Sequence, residues 1–148
     1  MSARALRTQI VHRKVAEIIS GADTGARPDG GEVTAGWAMG RFYAPGTAAF
    51  TEDFEIKEWG GKNYSAGGGT FRTDWRDHTD DGNEYIRVIA GTLTVHLGEE
   101  DGSGDVRRFE SITVAAGESI ALPAGLHRKF DGTDDVLAVT VRRGTRTA

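Results

Sequence analysis

Four histidines, His12, His78, His96 and His127, carry whatever imidazole chemistry this 148-residue chain performs, and there is no cysteine. A disulfide framework and thiolate chemistry are therefore excluded. His96 sits between Val95 and Leu97 in a strand-like alternation. Its side chain is expected to point away from the apolar face and to lie at the surface. His12 is a weak candidate in the same way. Among the cations, Arg72 and Arg76 share one face of a short candidate strand, and an inward arginine clamps a carboxylate through two parallel hydrogen bonds. Lys57 offers a second cation, or a partner for Glu55 two residues away. Trp59 and Tyr64 are available as an aromatic wall, with core packing as their alternative role. No serine stands in an order or spacing that announces a Ser-His-Asp triad. The run Gly67-Gly68-Gly69 lacks the Lys-Ser or Lys-Thr, and the helix, of a phosphate-binding loop.

The elements that must position these groups read as strands. Glycine is used 21 times and proline three times, and that glycine share is roughly twice the usual one. Many tight turns between short strands follow from it. Residues 1–20 hold the only helical spacing, Val11, Val15, Ile18 and Ile19, although Thr8 to Val11 reads equally well as a strand. Strand candidates are Thr34 to Tyr43, Phe50 to Trp59, Thr70 to Arg76, Glu84 to Ala90, Thr92 to Leu97, Val106 to Val114, Ser119 to Leu122, His127 to Phe130 and Val136 to Arg142. In Phe50 to Trp59, Phe54, Ile56 and Glu58 share one face and Glu55, Lys57 and Trp59 the other. In Glu84 to Ala90, Glu84, Ile86 and Val88 oppose Tyr85, Arg87 and Ile89. Short strands at near-regular spacing imply an all-β sandwich or barrel.

Charge and hydropathy narrow the partners. A net charge of −4 disfavours nucleic acid, and Arg107-Arg108 and the tail from Arg142 to Arg146 read as solvated surface charge. No apolar run approaches the roughly 20 residues of a membrane helix. The basic start lacks the apolar core of a secretory signal. The expectation is a cytoplasmic protein with a small-molecule ligand and no nucleic-acid or membrane partner.

Two segments carry a family resemblance. Glu84 to Gly91 has the E-x6-G form that closes the first cupin motif. Gly117-Glu118-Ser119-Ile120-Ala121-Leu122-Pro123-Ala124-Gly125-Leu126-His127 resembles the second, G-x5-P-x-G-x2-H, with one residue missing before the histidine. A narrower likeness, Gly36-Trp37-Ala38-Met39-Gly40-Arg41-Phe42 followed by Glu55-Ile56-Lys57, is similar to a subset of small bacterial cupins. The resemblance implies an antiparallel cupin β-barrel of the jelly-roll type over residues 31–148, after an N-terminal extension and loop over 1–30. It also implies a homodimer, since an open barrel leaves edges or faces to cover.

In metal-binding cupins the first motif supplies H-x-H and a glutamate, and the second a histidine. This sequence departs from that pattern, because no register places two histidines in the first motif. The best available metal set is His78, Glu84 and His127, with Asp80 as a further donor, for Fe, Mn, Ni or Zn. The first reading is a small-molecule-binding cupin without a tightly bound metal, in which Glu84 and His127 act as acid and base and Lys57, Arg72 and Trp75 contact the ligand. The alternative is a metal-dependent oxygenase or lyase built on the two-His, one-carboxylate set.

Overall fold

Alternation decides which side of each strand turns inward, and a computed structural model shows the outcome for residues 2–10, 12, 37–41, 43, 45–61, 71–72, 75 and 83–143. Among the described residues one short helix, α1 (Ala3–Arg7), precedes nine strands. They are β1 (Trp37–Met39), β2 (Phe54–Gly60), β3 (Phe71–Arg72), β4 (Glu84–Ala90), β5 (Thr92–Glu100), β6 (Val106–Ala115), β7 (Ser119–Leu122), β8 (His127–Gly132) and β9 (Leu137–Arg143). The Ser2 hydroxyl caps α1 by accepting from the Ala5 N–H. Val11, Val15, Ile18 and Ile19, whose spacing points to a longer helix, lie outside the described residues.

The strands form two antiparallel sheets, one in the order β1-β2-β9-β4-β7 and the other in the order β3-β8-β5-β6. Their facing sides enclose one core. Ile86 and Val88 of β4, Ala138 of β9, Trp59 of β2 and Leu122 of β7 come from the first sheet. Leu93, Val95 and Leu97 of β5, Val114 of β6 and Phe130 of β8 come from the second. Removing a side chain of this size from water contributes about 1.5–3 kcal/mol. The Trp59 ring lies tilted beside Phe130 across the gap between the sheets, and its indole Nε1–H donates to Thr140 Oγ1 at 2.9 Å. The largest aromatic side chain of the core thus keeps its polar atom satisfied.

Turn chemistry sets the register. Gly91 joins β4 to β5 at φ +71°, and an added Cβ would come within 2.7 Å of the Val136 Cα and the Thr133 hydroxyl. The β5–β6 hairpin is tied by Asp101, which accepts from Ser103 Oγ, the Ser103 and Asp105 N–H groups and Arg107 Nε. The Ser103 bonds, and then the Arg107 bond, hold the Asp101 carboxyl down at about 2.

Two surface expectations are corrected. His96 does face away from Val95 and Leu97, yet it is buried, because β6 and β8 flank it and supply side chains that cover its ring. Arg142, taken with the basic tail as solvated, has only 11% of its side chain exposed and donates through Nε to Glu55 Oε2 at 3.0 Å. Alternation along β9 places it on the same face as Ala138 and Thr140.

Gly117 also has positive φ, +86°, but nothing lies within 4 Å of a Cβ built there. A non-glycine residue in this region costs about 1–3 kcal/mol. Thermal or urea unfolding should therefore show Gly117→Ala losing about that much and Gly91→Ala clearly more, since only the second also meets backbone. Equal losses would contradict the close approach at Gly91.

Candidate functional site

The inward faces of β2, β9 and β4 carry acidic and basic groups in alternation. Register pairs Arg142 with Glu55 on one side and with Glu84 on the other. Glu55 is 5% exposed and Glu84 7%, so two carboxylates stand inside the fold on the strands either side of Arg142, whose Nε donates to Glu55. Alternation puts Lys57, half-buried, on the same inward face as Glu55 and Trp59.

The opposite sheet answers with Arg128. Its side chain is fully buried, and alternation along β8 places it with Phe130 on the core side. The guanidinium spends its donors on three partners. NH1 donates to Glu84 Oε1 at 3.2 Å, NH2 to the Pro123 carbonyl at 2.6 Å and Nε to the Leu126 carbonyl at 3.0 Å. Arg128 thereby joins β4 of one sheet to the turn that leads into β8 of the other. Asn83 reinforces the junction, its Oδ1 accepting from the Ala124 N–H at 3.3 Å. A planar, permanently charged fork is the side chain suited to such a three-way junction, and lysine, with its point charge, is not.

This geometry shows which expected site residues meet. Glu84 faces the interior together with Ile86 and Val88, the residues that share its face. His127 does not join it. It precedes Arg128, so its ring lies on the outer face of β8, with Nε2 3.4 Å from Glu100 Oε1. The signal that was missed is the spacing itself. Counting the full G-x5-P-x-G-x2 interval from Gly117 arrives at Arg128, and the apparent deletion before His127 is no deletion. Trp75 also lies on the outer side, packed on Gly98 and under the Lys129 ammonium, 5.2 Å from the ring centroid. Arg72 pairs through its backbone with Asp131, and its side chain lies outside what is described. His78 and Asp80 lie outside the described residues.

Among the described residues no three metal-donating side chains come together. Glu84 is occupied by a guanidinium, which ligates nothing, and His127 stands on the far side of its strand. A divalent ion at Glu84 would sit against a fixed positive charge. The described donors therefore do not fit a metal centre.

Removing one partner of a buried ion pair leaves the other charge stranded, at a cost of about 3–5 kcal/mol. Arg128→Met should lose at least that in chemical unfolding, because two carbonyls also lose their donor. Adding Glu84→Leu to that variant should recover part of the loss. A double variant no more stable than the single one would show that the two residues are not coupled.

No family model matches the sequence, and no curated protein matches it. Solved structures do resemble the fold. One, a Bacillus halodurans protein, BH2720, has a TM-score of 0.51 at 13% identity, over 67% of this chain and 69% of that one. A cupin-2 domain protein of Shewanella frigidimarina has a TM-score of 0.42 at 21% identity, over 61% of this chain and 68% of that one. An oxalate oxidase solved with the substrate analogue glycolate has a TM-score of 0.42 at 18% identity, over 64% of this chain but only 42% of the oxidase. Identities this low speak to fold alone.

Proposed function

Because the chain has the cupin fold, we propose that it is a small-molecule-binding cupin whose interior chemistry rests on guanidinium–carboxylate pairs and not on a tightly bound metal. The observation that carries this reading is Arg128. It stands at the position where the second cupin motif places a metal-ligating histidine, and its guanidinium binds the glutamate of the first motif. A cation held by protein takes the place that a bound cation would need.

The ligand class follows from the same groups. Glu55, Arg142, Lys57 and Glu84 line the inward faces of adjoining strands, so a small polar molecule would exchange hydrogen bonds with charges already fixed in place. Preorganised charged donors favour ligands that carry a carboxylate or several hydroxyls. Acid–base chemistry shared by Glu84 and His127 is not part of this proposal, since the two side chains lie on opposite sides of the second sheet. The metal-dependent oxygenase reading would require Glu84 to release Arg128 and His127 to change face.

Elemental analysis of protein purified without an affinity tag tests the proposal. Fe, Mn, Ni and Zn should all stay far below one equivalent per chain, before and after incubation with each ion and dialysis. A stoichiometric metal that is lost in Glu84→Gln would overturn it.

A further inference from the structure

The outer face of the second sheet holds a group of side chains that the interior does not use. His96 of β5 is 7% exposed and lies between two hydrogen-bonding partners. Its Nδ1 is 2.7 Å from Ser111 Oγ on β6, and its Nε2 is 2.5 Å from Asp131 Oδ2 on β8. Arg108 NH1 approaches the same Nδ1 at 3.3 Å.

Proton positions follow from the partners. Arginine has only donors, so an Nδ1 that faces Arg108 carries its lone pair and accepts. Nε2 then carries the hydrogen and donates it to the Asp131 carboxylate, while the Ser111 hydroxyl donates to Nδ1. The result is a hydroxyl aimed at an imidazole lone pair, with the imidazole oriented by a carboxylate, which is the arrangement that activates a nucleophile. Three strands contribute one residue each: β6, β5 and β8. Ser111 stands 15 residues from His96 and Asp131 stands 35, so no local spacing could have announced the set. Register builds it, by placing Ser111 directly opposite His96.

We propose that Ser111 is a nucleophile, His96 its base and Asp131 their positioning residue, and that this face hydrolyses small carboxylic esters. Ser111 Oγ attacks the carbonyl carbon as its proton passes to His96 Nδ1. The bond from that carbon to the alcohol oxygen breaks, and the departing alkoxide takes the proton from His96. Water then repeats the sequence on the acyl-serine, releasing the acid and restoring the hydroxyl. Asp131 offsets the charge that arrives on the ring with the proton. Ser111 is exposed and lies on β6, the edge strand of its sheet, so an ester reaches it without entering the fold. Trp75, packed on Gly98 two residues from His96 on the same face, gives the ester an apolar wall.

The test uses the full chain with p-nitrophenyl acetate and with a fluorophosphonate, followed by peptide mapping. The expected result is turnover of the ester and a single adduct on Ser111. Ser111→Ala should abolish both while unfolding at the wild-type temperature, because the side chain is exposed. His96→Gln should slow acylation by about 100-fold or more. Asp131→Asn should lower the rate and displace its pH profile, which a purely structural aspartate would not do. Absence of an adduct on Ser111, an adduct confined to Lys129 or another lysine, or undiminished turnover in Ser111→Ala would each overturn the proposal. Metal content is irrelevant to all of these readouts, so the outcome is separate from that of the barrel reading.

Discussion

The hydrogen bond from Arg128 to Glu84 is the constraint on which the interior depends. Both groups are buried, and neither is tolerable there without the other. Glu84 fixes the start of β4, next to Arg142 of β9. Arg128 fixes the turn from Pro123 to Leu126 through two backbone carbonyls. The two sheets are joined at this level by charge and hydrogen bonding, and elsewhere by the apolar contacts around Val88, Leu93, Val95 and Phe130. A buried ion pair adds little net stability compared with an apolar pair of similar volume. Its consequence here is positional: the guanidinium has one place in which all three of its acceptors are met.

The second sheet therefore does different work on its two sides. Inward, Leu93, Val95, Leu97 and Phe130 close the core and Arg128 supplies a charge. Outward, His96, Ser111, Asp131 and Arg108 form a connected polar group, with Trp75 and Lys129 beside it. One residue of register separates the two sets, because successive side chains on a strand alternate sides. A sequence change that slipped β8 by one position would exchange Arg128 for His127 at the interior, and Phe130 for a charged neighbour in the core.

That sensitivity explains what was legible in the sequence. The strands from Glu84 onward were readable to within three residues at their ends, since alternation and glycine turns are local signals. That Glu84 shares a face with Ile86 and Val88, and Lys57 one with Glu55 and Trp59, followed from the same alternation. The site was harder. His127 stands one residue before the motif position and so masks Arg128, to which strict counting points. His96 was read as surface because alternation gives a face and not the cover that neighbouring strands place on it. The grouping of His96 with Ser111 and Asp131 is a product of strand register, which no spacing along the chain contains. Arg142 looked like part of a basic tail because its acidic partner, Glu55, lies 87 residues away.

The most direct test of this account is hydrogen exchange at the Arg128 guanidinium, followed by 15N NMR and assigned by the signal missing in Arg128→Lys. The expected result is an Arg128 Nε–H that persists at neutral pH and exchanges far more slowly than that of an exposed arginine such as Arg87. An Arg128 signal that exchanges as fast as Arg87 would show a solvated guanidinium. The charge junction between the two sheets would then not exist.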